Sequence, residues 1–249
     1  MLLERRHLRE LTAKTFGASQ WLLAKERRWI LFAAFALAAL GTFLELSEDL
    51  IDDESLLATD MRILRAVAAL RRPWITAPAV DVTALGSVTL LALCSFVLGV
   101  ALQRAKDYRG TAQVVSAMAG VALWTYLTKN LFSRARPDMV YRLLDVQGYS
   151  FPSGHSSGSS ALYLTLALVI APHLRSMRSR VVLFVSSAAL ALAIGLSRVY
   201  LGVHYPSDVA SGLSFGSGWA FLLAALFAWQ RRLPAGDTRS SELDNLERE

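Results

Sequence analysis

Apolar and polar positions alternate along the chain in blocks, with six long apolar segments separated by short charged stretches: residues 29–46, 82–102, 110–128, 156–171, 181–197 and 209–230. Glu45 is the only charge inside any of them. A bilayer-crossing helix needs about 20 mostly apolar residues, with a range of roughly 17–25. The longer segments meet this alone, and 156–171 and 181–197 meet it once their flanks are added. Small residues recur inside them (Gly86, Gly99, Gly120, Gly195, Gly212, Gly216, Gly218), which favours close helix–helix approach over lipid-facing surface. The pattern predicts an all-α integral membrane protein, a six-transmembrane-helix bundle, with no internal repeat.

The charged stretches suggest an orientation. Residues 1–28 are basic and loosely amphipathic, lack the apolar core and cleavage site of a secretory signal, and read as a cytoplasmic interfacial segment or tail. Basic clusters follow at Arg104, Lys106 and Arg109, at Arg175, Arg178 and Arg180, and at Arg231 and Arg232. With six spans all four clusters fall on one side, which the positive-inside rule makes cytoplasmic. Arg62, Arg65, Arg71 and Arg72 oppose this assignment and are outnumbered. The expected organisation is a basic N-terminal segment (1–28), a membrane domain (29–230) and a polar cytoplasmic tail (231–249), with both termini inside and a bacterial inner membrane as the natural setting.

Composition agrees. Hydrophobic residues make up 54% of the chain, and the mean hydropathy is +0.39, above the balance of soluble domains. The net charge of +6 lies in topology clusters, so no nucleic-acid partner is expected. Cys94 is the only cysteine, which rules out an internal disulfide. Oligomeric state leaves no mark in the sequence.

Three short blocks carry candidate chemistry. The first runs from Lys129 to Arg136-Pro137, the second is Pro152-Ser153-Gly154-His155, and the third is Ser197-Arg198 followed by His204 and Asp208. The second block opens an apolar segment, where a helix N-terminus offers free N–H groups to an anion. Phosphoryl transfer is largely positioning and electrostatic stabilisation, and Lys129, Arg136 and Arg198 suit that task. Ser153 offers a hydroxyl, and Gly154 an N–H that no side chain blocks. Pro206 marks a helix start, which puts Asp208 in the first turn and His204 in the loop before it. Asp208 would then fix the His204 tautomer, leaving the other ring nitrogen free to attack phosphorus. His155 would serve as acid and base. The blocks lie on the side opposite the basic clusters, so the site is expected to be extracytoplasmic.

These blocks resemble the three signature motifs of the type-2 phosphatidic acid phosphatase superfamily, Lys-x6-Arg-Pro, Pro-Ser-Gly-His and Ser-Arg-x5-His-x3-Asp, matched at every fixed position. The resemblance implies the six-helix frame, His204 as nucleophile, Asp208 as its orienter and His155 as acid/base. It implies Lys129, Arg136, Ser153, Gly154 and Arg198 as the phosphate cradle, with no metal and no cofactor. The implied partners are membrane lipids: a lipid phosphomonoester or pyrophosphate, with polyprenyl pyrophosphate, phosphatidylglycerol phosphate and phosphatidate as leading candidates, hydrolysed through a phosphohistidine.

Each residue also has an ordinary structural use. Lys129 and Arg198 can snorkel, and Ser153 and Asp208 can cap helices; His7 and His173 are given no role. A serine hydrolase based on Ser153 lacks a Gly-x-Ser-x-Gly elbow. A metal-dependent diphosphate enzyme would need the acidic run 48–54, which reads better as a solvated edge. A vanadium haloperoxidase would share the pocket but not the membrane frame. A non-hydrolytic lipid-phosphate binder or carrier would need the cations but not the His204–Asp208 pair. Trp74, Trp124 and the amphipathic stretch 56–70 are candidates for a specificity groove, although interfacial anchoring or packing is their plainer reading.

Overall fold

The computed structural model describes residues 27–52 and 54–231. The basic N-terminal segment with His7, Asp53 of the acidic run, and the tail after residue 231 lie outside the described residues. Eight α-helices and no strand occur among the described residues: α1 (Arg28–Asp52), α2 (Glu54–Ala69), α3 (Pro73–Ala84), α4 (Val88–Arg104), α5 (Tyr108–Phe132), α6 (Gly154–Ile170), α7 (Met177–Tyr200) and α8 (Pro206–Gln230).

Five of the six apolar segments became helices that start before the apolar run, because the capping residues lie in the polar flanks, and three of them, α1, α5 and α7, also run past its end. Asp107 accepts from Gly110 N–H at the start of α5, Ser153 from Ser156 N–H at the start of α6, and Ser176 from Ser179 N–H at the start of α7. The segment 82–102 is different. It is cut at Leu85-Gly86-Ser87, where Ser87 caps α4, and its first residues belong to α3. The stretch 47–77 between the first two apolar segments is mostly helical: α1 continues to Asp52, and α2 and α3 fill most of the rest.

Among the described residues three helices are long and apolar enough to cross a membrane, Arg28–Ile51, Met177–Tyr200 and Pro206–Gln230, and a bent pair, Pro73–Ala84 with Val88–Arg104 at 46°, adds a fourth candidate. The helix α6 is only 17 residues long and rich in serine, and α5 is diluted by Gln113 and by polar residues near its C-terminal end. The physical reason is placement. Twelve residues of α6 are buried, so its composition answers to protein neighbours, not to lipid.

α6 is the axis of the molecule, packed against α5, α7 and α8, while α1 lies along α8 from outside. The buried serine hydroxyls that face α8 bond back into their own helix: Ser157 Oγ donates to the Ser153 carbonyl (2.9 Å) and Ser160 Oγ to the Ser156 carbonyl (2.8 Å). With those groups satisfied, the glycine face of α8 can approach. A Cβ at Gly216 would collide with the Ser157 carbonyl oxygen and Ser160 Oγ, and one at Gly212 would lie 2.7 Å from the Ser153 carbonyl oxygen. Large apolar side chains on the outer helices face outward instead, including Phe96 (70% exposed), Leu131 (76%) and Leu37 (73%), a surface suited to lipid.

Arg65 and Arg71 have structural uses at the α2–α3 corner. Arg71 donates to the carbonyls of Tyr200 (2.9 Å) and Tyr141 (2.8 Å), and Arg65 Nε to the Tyr141 hydroxyl (3.3 Å). Their position is accounted for by these bonds and says little about topology.

If the glycine contact sets the α6–α8 distance, Gly216→Ala should destabilise the protein by about 1–3 kcal/mol, as overpacking of a close contact does. Thermal unfolding in detergent would show a lowered Tm; an unchanged Tm would mean the two helices can separate freely.

Candidate active site

The end of α5, the start of α6, the end of α7 and the loop before α8 meet at one end of the bundle. Lys129, Arg136, Gly154, His155, Arg198 and His204 all line one cavity there, of about 510 Å³. Six of the eight sequence-predicted site residues are therefore brought together, and both imidazoles border the same space. Asp208 lies just behind His204. Ser153 does not line the cavity: its Oγ accepts from Ser156 N–H (3.4 Å) and from Ser156 Oγ–H (3.0 Å), which is the ordinary use of a serine before a helix.

His204 is held from both sides. Its Nε2 lies 3.1 Å from Arg136 Nη1 and its Nδ1 lies 3.3 Å from Asp208 Oδ2. A guanidinium can only donate, so Nε2 is the acceptor and the ring proton sits on Nδ1, facing the carboxylate. Asp208 also accepts from Tyr205 N–H (2.9 Å), so it caps α8 and orients the ring at once. Burial pushes the His204 pKa down to about 4; Asp208 opposes the shift, and Arg136 and Lys129 reinforce it. The ring is accordingly neutral at physiological pH, with a lone pair on Nε2.

The cations are engaged but not neutralised. Lys129 Nζ donates to the carbonyls of Tyr149 (2.6 Å) and Ser150 (3.3 Å). Arg136 donates to the carbonyls of Gly148 (2.9 Å), Gln147 (3.3 Å) and Val203 (2.8 Å), and burial lowers its pKa from the usual arginine value. Arg198, 3% exposed, donates through Nη1 to Thr83 Oγ1 (2.9 Å), while its buried Nε has no partner. Carbonyl dipoles, and for Arg198 a hydroxyl, hold these side chains without cancelling their charge, so three positive groups face a cavity whose wall contains no Asp or Glu. Gly154 is not demanded by packing, since a Cβ there would meet only Thr125 and Lys129, at 3.7 and 4.0 Å. Behind His155 the opposite holds: a Cβ on Gly86 would press on the ring at 3.2 Å and on Ile194. The turn that breaks α3 from α4 thus backs the imidazole.

Three functional candidates escaped the sequence reading. Arg134 donates through Nη1 to Asp208 Oδ1 (2.7 Å) and Ser207 Oγ (2.8 Å), and through Nη2 to Asp60 Oδ2 (2.7 Å), with its guanidinium 4.2 Å from the Tyr205 ring centre. Burial opposes its charge, but Asp208 and Asp60 together hold its pKa above the usual value. Asp60, on α2, also accepts from Ser207 N–H (2.9 Å) and the Ser207 hydroxyl. Thr83 positions Arg198. Only Asp60 left a signal: it shares a helix face with Leu64, which is fully buried, so an acid sat on the apolar stripe of an amphipathic stretch.

The tautomer is directly measurable. In the free protein at pH 6, ¹⁵N spectra of labelled histidine should show one ring, absent from His204→Gln, that is neutral with its proton on Nδ1. A protonated ring, or the proton on Nε2, would contradict this geometry.

The comparisons with known proteins bear on this same region. The model of the PAP2 superfamily matches residues 110–232, a stretch that includes all three blocks. Phosphatidylglycerophosphatase B of Bacillus subtilis is 28% identical over 167 residues, covering 67% of this chain and 82% of that protein. A lipid A 1-phosphatase of Rhizobium johnstonii is 37% identical over 111 residues, 41% of each chain. The crystal structure of a transmembrane PAP2-type phosphatidylglycerolphosphate phosphatase from Bacillus subtilis superimposes with a TM-score of 0.73 at 25% identity, covering 81% of this chain and 98% of that one. With sequence blocks, helical frame and clustered site in agreement, this chain belongs to the PAP2 superfamily.

Proposed function

We propose that the protein hydrolyses a lipid phosphomonoester or lipid pyrophosphate through a phosphohistidine, without metal. His204 Nε2 attacks phosphorus, the bond from phosphorus to the leaving oxygen breaks, and His155 gives that oxygen its proton. His155 then takes a proton from water as the water attacks the phosphohistidine, releasing phosphate and restoring Nε2. Lys129, Arg136 and Arg198 share the charge of the equatorial oxygens, and the open space at Gly154 lets an oxygen reach its N–H at the start of α6. Arg136 donates to Nε2. The entering phosphoryl group takes over that guanidinium and frees the nucleophile. Ser153 joins the cradle only if its hydroxyl turns away from Ser156.

The observation that carries this reading is the shape of the cavity. Beyond the histidines and cations it continues between α4 and α5 along Val88, Leu91, Ala92, Met118, Val121 and Ala122. From Lys129 to Met118 is about 16 Å along the helix at roughly 1.5 Å per residue, room for a length of hydrocarbon chain. This groove does not include Trp74, Trp124 or residues 56–70, none of which borders the cavity. A soluble phosphate ester would have no use for it. Phosphatidylglycerol phosphate is the substrate class favoured by the Bacillus relatives, with lipid A and polyprenyl phosphates sharing the same headgroup chemistry. With six spans, α3–α4 counted as one, the site would lie on the extracytoplasmic side, and the loop charges support that orientation.

A lipid-phosphate binder or carrier is the competing reading, and the His204–Asp208 pair argues against it, since binding alone needs no oriented nucleophile. The test is phosphate release from a panel of these lipids by the purified protein. Turnover should be blocked by vanadate, unaffected by chelator, and reduced by several orders of magnitude in His204→Ala. Lipid binding without phosphate release from any of them would favour the carrier.

The groove has its own test. Ala122→Phe should raise KM for a long-chain lipid phosphate roughly tenfold or more while leaving hydrolysis of p-nitrophenyl phosphate nearly unchanged. Equal loss on both substrates would mean that the hydrocarbon chain lies elsewhere.

A further inference from the structure

A second cavity lies at the opposite end of the bundle, about 25 Å away if the 17 residues of α6 are taken at roughly 1.5 Å each. It has a volume of about 240 Å³ and sits where the starts of α1 and α5 meet the ends of α6 and α8. Nothing in the reaction above uses it.

Its lining is unusual for a gap between apolar helices. Arg28 and Arg231 both contribute, and the guanidinium of Arg28 has a buried Nε with no partner. Gln113, on α5, is 8% exposed, and its buried Nε2 also has no partner. A buried amide without a hydrogen bond costs free energy, as does a guanidinium group left partly unsatisfied, unless a ligand supplies the acceptor. The one carboxylate on the wall, Asp107, already spends an oxygen on Gly110 N–H (2.9 Å). Donors exceed acceptors, and the balance of the two arginines against Asp107 is positive. His173 also lines the cavity, and the remaining walls are apolar, Phe32 and Phe227 among them.

We propose that this cavity binds the phosphodiester headgroup of an anionic membrane phospholipid, held by Arg28, Arg231 and Gln113, with its glycerol end against the apolar wall. Basic pockets between helix ends at a membrane surface are suited to such headgroups. Free phosphate shares the oxyanion chemistry but not the use of the phenylalanine wall, and the experiment separates the two. The site is independent of the hydrolytic chemistry: phosphatidylglycerol, which carries a diester and no terminal phosphate, is the probe.

The full-length protein, with its catalytic cavity filled by vanadate, is titrated with phosphatidylglycerol in detergent, and bound lipid is counted by native mass spectrometry. Wild type should retain a saturable phosphatidylglycerol. Arg28→Gln combined with Gln113→Leu should weaken it roughly tenfold or more, the loss expected for charge-assisted hydrogen bonds, while lipid-phosphate hydrolysis without vanadate persists and shows that the variant is folded. Equal retention by wild type and variant would overturn the proposal. Inorganic phosphate displacing the lipid at comparable concentration would also overturn it, by showing that the apolar wall contributes nothing.

Discussion

A buried carboxylate surrounded by membrane helices is the constraint on which the site depends. Asp208 is fully buried and accepts from Arg134, from Tyr205 N–H and from His204. Taking a charge out of water is costly unless it is paired and hydrogen-bonded. Arg134 supplies the pairing, and Asp60 from the other side keeps Arg134 in place. Removing one member of such a group strands the others, at a cost of about 3–5 kcal/mol in comparable buried pairs. The ion group therefore joins α2, the loop after α5 and the start of α8, and the orientation of His204 follows from it.

The same geometry explains how the site stays charged without collapsing. Lys129 and Arg136 rest on four consecutive backbone carbonyls, Gln147 to Ser150, and Arg198 rests on Thr83. Partial charges keep the cations ordered yet leave them available to an incoming oxyanion. A carboxylate in those positions would hold them more tightly and would repel the substrate. The two carboxylates of the ion group sit one layer behind, where Asp208 orients His204, Asp60 holds Arg134, and neither lines the cavity.

Much of this was legible in the sequence, because membrane helices announce themselves by length and apolarity and because the three blocks fix residue types at fixed spacings. The helix beginning at Pro206, with His204 before it and Asp208 inside it, followed from proline chemistry alone. What the sequence hid is tertiary. Nothing local distinguishes Arg134 from Arg136 two positions on, or shows that Asp60, nearly 150 residues before Asp208, would share its cation. The break at Gly86 lay inside an uninterrupted apolar run, and it became visible only through the His155 ring that it supports. Ser153 shows the reverse case, since its capping role was the plainer reading and is the one the geometry displays.

The central claim is that one particular ring nitrogen becomes covalently phosphorylated. Mixing the protein with a lipid substrate carrying ³²P in the scissile phosphate, stopping the reaction in base and mapping the label by peptide is the most direct measurement. The label should be acid-labile and base-stable, located on His204, and more abundant in His155→Ala, where hydrolysis of the intermediate lacks its base. Label on any other residue, or turnover that continues in His204→Ala, would contradict it.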